Sequence, residues 1–313
     1  MYHSILVPLD GSTFGEHALV FALSIARRAE VPLHLVHAHV PVALMYAENA
    51  FNMEGTLDPK IREQEKAYLD GAAKRVAAAG LHRVTPVLTD GPAADVIRDQ
   101  AHATRSDLIV MTTHGRGPLS RFWLGSVADQ LVRRCSVPIL LVHPKDDLPN
   151  LTSAPVLSRV LIPLDGSKSA EQILEPAMSL GRLTNAEYTL LRVVEPAMSV
   201  GYDPVGYAGL QAVDERRVAL EQKEAQTYLD RVAERFKAQK LRVQTRVVTS
   251  HHPAVAILDE AATTGTSLIA LQTHGRRGLA RVLLGSVADK VVRGATIPVL
   301  VFRPNSNLDG DMT

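Results

Sequence analysis

One stretch occurs twice in the chain and constrains what the rest can be. Thr112-Thr113-His114-Gly115-Arg116 is followed shortly by Leu124-Gly125-Ser126-Val127-Ala128-Asp129, and Gln272-Thr273-His274-Gly275-Arg276 by Leu284-Gly285-Ser286-Val287-Ala288-Asp289. In both copies nine residues separate the two glycines. Each copy follows an apolar run, Leu108 to Met111 or Leu268 to Leu271, and each opens a helical pattern at its Gly-Ser. That reads as strand, small-residue loop and helix start. Backbone N–H groups at the positive end of a helix dipole make such a stretch suited to an anion.

The surrounding order repeats as well. Ile5-Leu6-Val7-Pro8-Leu9 is a wholly apolar run ending in Asp10-Gly11-Ser12, and Val160 to Ser167 mirrors it. A strand without polar alternation is expected to be buried on both faces, as in a parallel sheet. Ser12 is placed to cap a helix running from about Glu16 to Arg28. Strands follow at Pro32 to Ala38, Val84 to Leu88, Asp107 to Met111 and Val137 to Val142, with helices at about Lys60 to Ala79 and Ala93 to Ala103. Strands alternating with helices imply right-handed βαβ units. The register between copies is about 155 residues at the start and about 160 after the long second loop. The chain is therefore expected to hold two α/β domains, 1–146 and 157–305, each a doubly wound, five-stranded parallel sheet flanked by helices. A linker spans 147–156, and a disordered tail 306–313.

Composition narrows the function. The 313 residues are 46% hydrophobic and 21% charged, with a formal net charge of +1. That balance provides no electrostatic footprint for nucleic acid or an anionic membrane. Aromatics at 4% leave few platforms for stacking bases. No apolar run approaches the roughly 20 residues of a membrane span. The single cysteine, Cys135, excludes an intramolecular disulfide framework and fits a reducing compartment. Met1-Tyr2-His3-Ser4 leads straight into a strand, and a cytoplasmic location is expected.

In an open α/β sheet, ligands sit beyond the carboxyl ends of the strands, near the point where strand order reverses. Asp10 ends the first strand and Thr112 to Gly115 the fourth. If those strands are neighbours, one crevice holds a carboxylate, the glycine loop and the Gly125-Ser126 helix start. A nucleotide suits that set: Asp10 for ribose hydroxyls, and Gly115, Gly125 and Ser126 for phosphate oxygens. Plainer roles compete. Asp-Gly-Ser is a common turn, and a serine at a helix start is a common cap, worth roughly 1 kcal/mol. His114 and His274 have no second His or Cys at metal spacing. Arg116, Arg121, Arg276 and Arg281 are phosphate candidates, although arginine near a helix start is usually a solvated side chain. Neither a Gly-x-x-x-x-Gly-Lys-Ser/Thr phosphate loop nor a Gly-x-Ser-x-Gly elbow is present.

Val7-Pro8-Leu9-Asp10-Gly11-Ser12, the Thr-His-Gly-Arg run and the Leu-Gly-Ser-Val-Ala pair resemble the universal stress protein family, over nearly the whole chain, as two tandem domains. The resemblance implies a Rossmann-like fold, related to adenine nucleotide α-hydrolases, that binds ATP, with any Mg²⁺ arriving on the nucleotide. It places phosphate contacts at Gly115, Gly125, Ser126 and Val127, and ribose and adenine contacts at Pro8, Asp10, Ala38 and Met111. The matching second-half positions are Gly275, Gly285, Ser286 and Val287, with Pro163, Asp165, Val193 and Leu271. The family's first motif glycine is Thr112 here, and Gln272 in the second copy. Thr112 is small and adds a hydroxyl; Gln272 is larger, so the first crevice is expected to bind better than the second. The resemblance also implies edge-to-edge pairing of the domains and further homo-oligomerisation. Three functions follow: a stress-response protein binding an adenine nucleotide, with slow hydrolysis at most; a nucleotide-free interaction module; and an adenylate-forming enzyme, for which no substrate pocket is legible.

Overall fold

The computed structural model describes residues 2–41, 54–114, 124–196, 207–273 and 285–303. The chain divides into two compact units, one of residues 1–156 with 298–313 and one of residues 157–297.

The first unit runs β1 (Ile5–Pro8), α1 (His17–Ala29), β2 (Leu33–His39), α2 (Glu54–Ala78), β3 (Val84–Asp90), α3 (Ala93–Ala103), β4 (Leu108–Thr112), α4 (Ser126–Arg134) and β5 (Ile139–Val142). Its strands lie in the order β3-β2-β1-β4-β5, all parallel. This is the Rossmann-type order, with the direction of winding reversed between β1 and β4. The inner strands are apolar throughout because helices cover both their faces: Ile5, Leu6 and Val7 of β1 and Leu108, Ile109 and Val110 of β4 are completely buried. The outer strand β3 is half exposed and carries Pro86, which an edge tolerates because no N–H is needed on that side. The outer side of β5 is met by β10 (Val299–Phe302), antiparallel, at Leu141↔Val299 through Ile139↔Val301. An apolar strand edge is thereby closed.

The second unit runs β6 (Arg159–Pro163), a 3₁₀ turn Ala170–Ile173, α5 (Leu174–Arg182), β7 (Glu187–Val194), α6 (Tyr207–Lys237), β8 (Arg242–Thr249), α7 (Pro253–Thr263), β9 (Leu268–Gln272) and α8 (Ser286–Gly294). Its parallel strands take the order β9-β6-β7-β8, repeating β4-β1-β2-β3.

Three boundaries differ from the sequence reading. Helix α2 begins at Glu54 and runs through Pro59, rather than starting after the proline. Ser12 does not cap α1, whose cap is Glu16; its hydroxyl accepts the Gly15 N–H at 3.1 Å inside the preceding turn. Ser126 and Ser286 are the first helical residues rather than caps, and Gly125 and Gly285 hold the cap positions. Within the stretch expected to link the domains, Pro155 O accepts from Ser24 Oγ of α1 at 3.0 Å. The expected tail lies outside the described residues. Among the described residues no helix is long and apolar enough to cross a membrane.

Ile109 is completely buried and pairs with Leu6 on one side and Ile139 on the other. Truncation there opens a cavity that two neighbouring strands restrain from collapsing. Ile109→Ala is expected to lower the unfolding free energy of the first unit by about 2–5 kcal/mol, read from urea titration of the whole chain.

Candidate functional site

The crevice of the first unit forms because β1 and β4 are neighbours, paired at Ile5↔Leu108 and Leu6↔Ile109. Beyond β1, Leu9 N still donates to Val36 O of β2 at 2.8 Å, and the chain then turns at Asp10. Asp10 Oδ1 accepts from Ser12 N at 3.0 Å and from Ser12 Oγ at 2.6 Å. The carboxylate therefore organises its own turn, as the common-turn reading expects.

Beyond β4, Thr113 N donates to Val142 O at 2.9 Å and Thr113 O accepts the Gly125 N–H at 2.7 Å. That bond folds the start of α4 back onto the end of β4. A Cβ at Gly125 would lie 3.3 Å from Thr113 O and 3.5 Å from His114 Cα, a tight fit that favours glycine. Among the described residues no side chain caps α4 at Gly125, so its first N–H groups are placed for solvent or a ligand. The two loops touch: the Phe14 and His114 rings lie 6.3 Å apart between centroids. His114 Nδ1 is 3.1 Å from Thr113 Oγ1, and burial lowers the pKa of its ring.

The structure thus gathers Pro8, Asp10, Ala38, Met111, Thr112, Gly125, Ser126 and Val127 at the carboxyl ends of β1, β2 and β4 and the start of α4. Met111 and Thr112 are buried, Pro8, Asp10 and Ala38 half-buried, and Ser126 is exposed. Gly115, Arg116 and Arg121, and their counterparts Gly275, Arg276 and Arg281, lie outside the described residues.

Below the Asp10 turn sits a group that sequence reasoning missed. The Tyr68 hydroxyl of α2 is enclosed beside Glu16, without a partner at normal hydrogen-bond geometry among the described residues. Burial first, then the Glu16 and Asp10 charges, push its pKa up. Glu16 in turn pairs with Arg75. Beside it, His39 is only 1% exposed, with Nδ1 2.6 Å from Glu65 Oε2 and Nε2 3.3 Å from Asp58 Oδ2. His37 Nε2 lies 3.3 Å from Glu65 Oε1. The alternation His37-x-His39 at a strand end was the available signal, but its partners come from a helix whose rotation about its axis no local pattern fixes. No group of three or more metal-type side chains able to hold an ion occurs among the described residues.

The second unit repeats the frame. Asp165 Oδ1 accepts from Ser167 N at 2.9 Å and Ser167 Oγ at 2.6 Å, and Gly285 N donates to Thr273 O at 2.8 Å. Pro163, Asp165, Val193, Leu271, Gly285, Ser286 and Val287 take the corresponding places. Tyr228 repeats Tyr68: its hydroxyl is enclosed beside Glu171, and burial, then the charges of Glu171 and Asp165, raise its pKa, against a lowering by Arg192. Two side chains differ. Gln272 Nε2 donates to Ser169 Oγ at 2.9 Å, and Arg192 Nη1 to Leu164 O at 3.2 Å.

A groove of about 550 Å³ lies elsewhere in the first unit, between α2 and β3, lined by Arg62, Lys66, Pro86 and Leu88. None of the crevice residues lines it.

Comparison with known proteins agrees with this geometry. The model of the universal stress protein family matches residues 1–143 and again 157–303. A universal stress protein of Mycolicibacterium smegmatis is 28% identical over 307 residues, covering 96% of this chain and 97% of the relative. One from Mycobacterium tuberculosis is 28% identical over 310 residues, with the same coverage. Among solved structures, a universal stress protein from Archaeoglobus fulgidus aligns with a TM-score of 0.66 at 20% identity, over 97% of each chain, and shares the fold. With the family's domain matched twice along its length, this chain belongs to the universal stress protein family, in a tandem form.

Proposed function

We propose that the crevice of the first unit binds ATP or a related adenine nucleotide, and that the protein acts in a cytoplasmic stress response through that ligand. One observation carries the reading: the start of α4 is drawn onto the end of β4, across from the Asp10 turn, by a Gly125–Thr113 bond at a spacing where a side chain would be tight. The N–H groups of Ser126 and Val127 and the Ser126 hydroxyl would take phosphate oxygens, because they sit at the positive end of the α4 dipole, while Gly125, whose own N–H is given to Thr113 O, would let the phosphates approach closely. Asp10 would take a ribose hydroxyl, and Pro8, Ala38 and Met111 would surround the base. Thr112, at the place of the family's first motif glycine, would add its hydroxyl nearby. Any Mg²⁺ would arrive on the phosphates, where it favours oxygen ligands and retains waters. Hydrolysis would be slow at most, since no water-activating base is named by the sequence and no side-chain cluster able to hold a metal occurs among the described residues. Homo-oligomerisation belongs to the same reading. The nucleotide-free alternative draws support from the second unit, where Gln272 already occupies the Ser169 hydroxyl.

Native mass spectrometry of freshly purified chain is expected to show a retained adenine nucleotide, and a ligand-free spectrum that added ATP does not change would refute the reading. Asp10→Asn keeps an acceptor for the Ser12 turn and removes the charge; it is expected to weaken ATP binding about tenfold or more by titration calorimetry, as losing a hydrogen bond to a charged group does. His114 is expected to titrate below 6.5, its usual value. Its neutral form is favoured by folding, so its contribution to stability is full above 6.5 and is lost as pH falls through the lowered folded-state value. An NMR titration with a ring midpoint at or above 6.5 would contradict this.

A further inference from the structure

We infer that the second crevice is held shut by its own side chains, with Gln272 as the latch, so that the chain takes one adenine nucleotide rather than two. This rests on the nucleotide reading of the first unit and goes beyond it, to what decides occupancy in the second.

Strand register makes the two copies comparable position by position. Pro8 pairs with Val36 and Pro163 with Leu191, which sets His37 against Arg192. Leu6 pairs with Ile109 and Leu161 with Ile269, which sets Thr112 against Gln272. Counting from the turn aspartate sets Phe14 against Ser169. The frames around these pairs match closely. The Ser Oγ to Asp Oδ1 distance is 2.6 Å in both, and the glycine N–H at the helix start reaches the threonine carbonyl at 2.7 Å in one and 2.8 Å in the other. Over these contacts the frames agree, and the side chains at the paired positions differ.

In the first unit the residue ending β4 is a short, buried Thr112, and the loops touch through the rings of Phe14 and His114. In the second unit Gln272 reaches from the end of β9 to the turn after β6 and donates to Ser169 Oγ. Because β6 and β9 are neighbours, that bond ties the turn that holds Asp165 to the end of β9, whose Thr273 carbonyl takes the Gly285 N–H. A nucleotide joining a ribose at Asp165 to phosphates at α8 would have to displace it. The family pattern has glycine at this point, where nothing projects.

Arg192 adds to the closure. Its Nη1 donates to the Leu164 carbonyl, one residue before Asp165, and its charge opposes those of Asp165 and Glu171 at Tyr228. The guanidinium is thus held at the residue that precedes the carboxylate that would receive the ribose. In the first unit the same strand position is His37, whose Nε2 turns to Glu65 and away from this role. Ala225 stands where Glu65 stands, counting from Tyr228 and Tyr68, so the second unit has no carboxylate there to draw Arg192 aside. A hydrogen bond that must be broken works against ligand entry.

The test uses the full chain and measures bound ATP per chain by equilibrium dialysis with Mg²⁺. The expected ratio is one for the wild type and two for Gln272→Gly, the added site binding at least tenfold tighter than any second-unit binding in the wild type. Gln272→Thr, which installs the residue of the first unit, is the second variant should glycine loosen β9. The wild-type site should be weakened by Asp10→Asn and unaffected by Asp165→Asn. A wild-type ratio of two, a ratio that stays at one in both Gln272 variants, or loss of the single site in Asp165→Asn would overturn the latch while leaving nucleotide binding intact. A wild-type ratio of zero that rises to one in the Gln272 variants would support the latch and refute the first-unit reading instead. Zero throughout would refute both.

Discussion

The adjacency of β1 and β4 is the constraint on which the rest depends. Winding proceeds outward from β1 through β2 to β3, then returns to place β4 on the other flank of β1. Helices cannot cover both sides of that division at the strand ends, so a crevice opens there. Asp10 and Gly125 are 115 positions apart in the chain, counting 125 − 10. The same strand order brings Asp165 and Gly285 to the equivalent place in the second unit. Had β4 paired at the β3 edge, the same motifs would stand on opposite sides of the sheet with no shared cleft.

What occupies the crevice is set by side chains on a frame that hardly varies. Each aspartate is bound into its own turn through one oxygen, and each helix start is drawn onto the preceding strand by a glycine N–H. These contacts hold the site in shape before any ligand arrives, which reduces the ordering a ligand must impose. Behind the turn, each unit buries a tyrosine hydroxyl next to a glutamate that is itself paired with an arginine. The acidic turns are thus backed by a closed layer of charge in both units. The first adds two buried histidines, His37 beside Glu65 and His39 between Glu65 and Asp58, and these tie α2 to the end of β2. Duplication kept the frame and let the contents of the two crevices diverge.

Much of the site was legible in the chain. The strand-loop-helix stretch, its repetition, the Asp-Gly-Ser turn and the unusual Thr112 and Gln272 are local patterns, and the described residues of each lie on the strand end, turn or helix start expected. The helix caps were misjudged because serine competes with glycine for that role. Ser126 follows the cap because a residue without a Cβ fits more easily against Thr113 O. The reach of Gln272 to Ser169 was not legible, since it joins positions 103 residues apart. The histidine cluster and the enclosed tyrosines were missed for a similar reason: their partners lie on helices whose facing depends on packing.

By itself the sequence determined the two-fold repetition, the alternation of buried strands with helices, and the local chemistry of each turn and helix start. Those follow from hydrophobic period, turn propensity and spacing, all of which act over a few residues. Tertiary structure alone decided which strands stand side by side, that β10 closes the edge of β5 antiparallel, and which side chains cross each crevice. Such pairings join residues far apart in the chain, and their free energy depends on close packing across elements that no short pattern records.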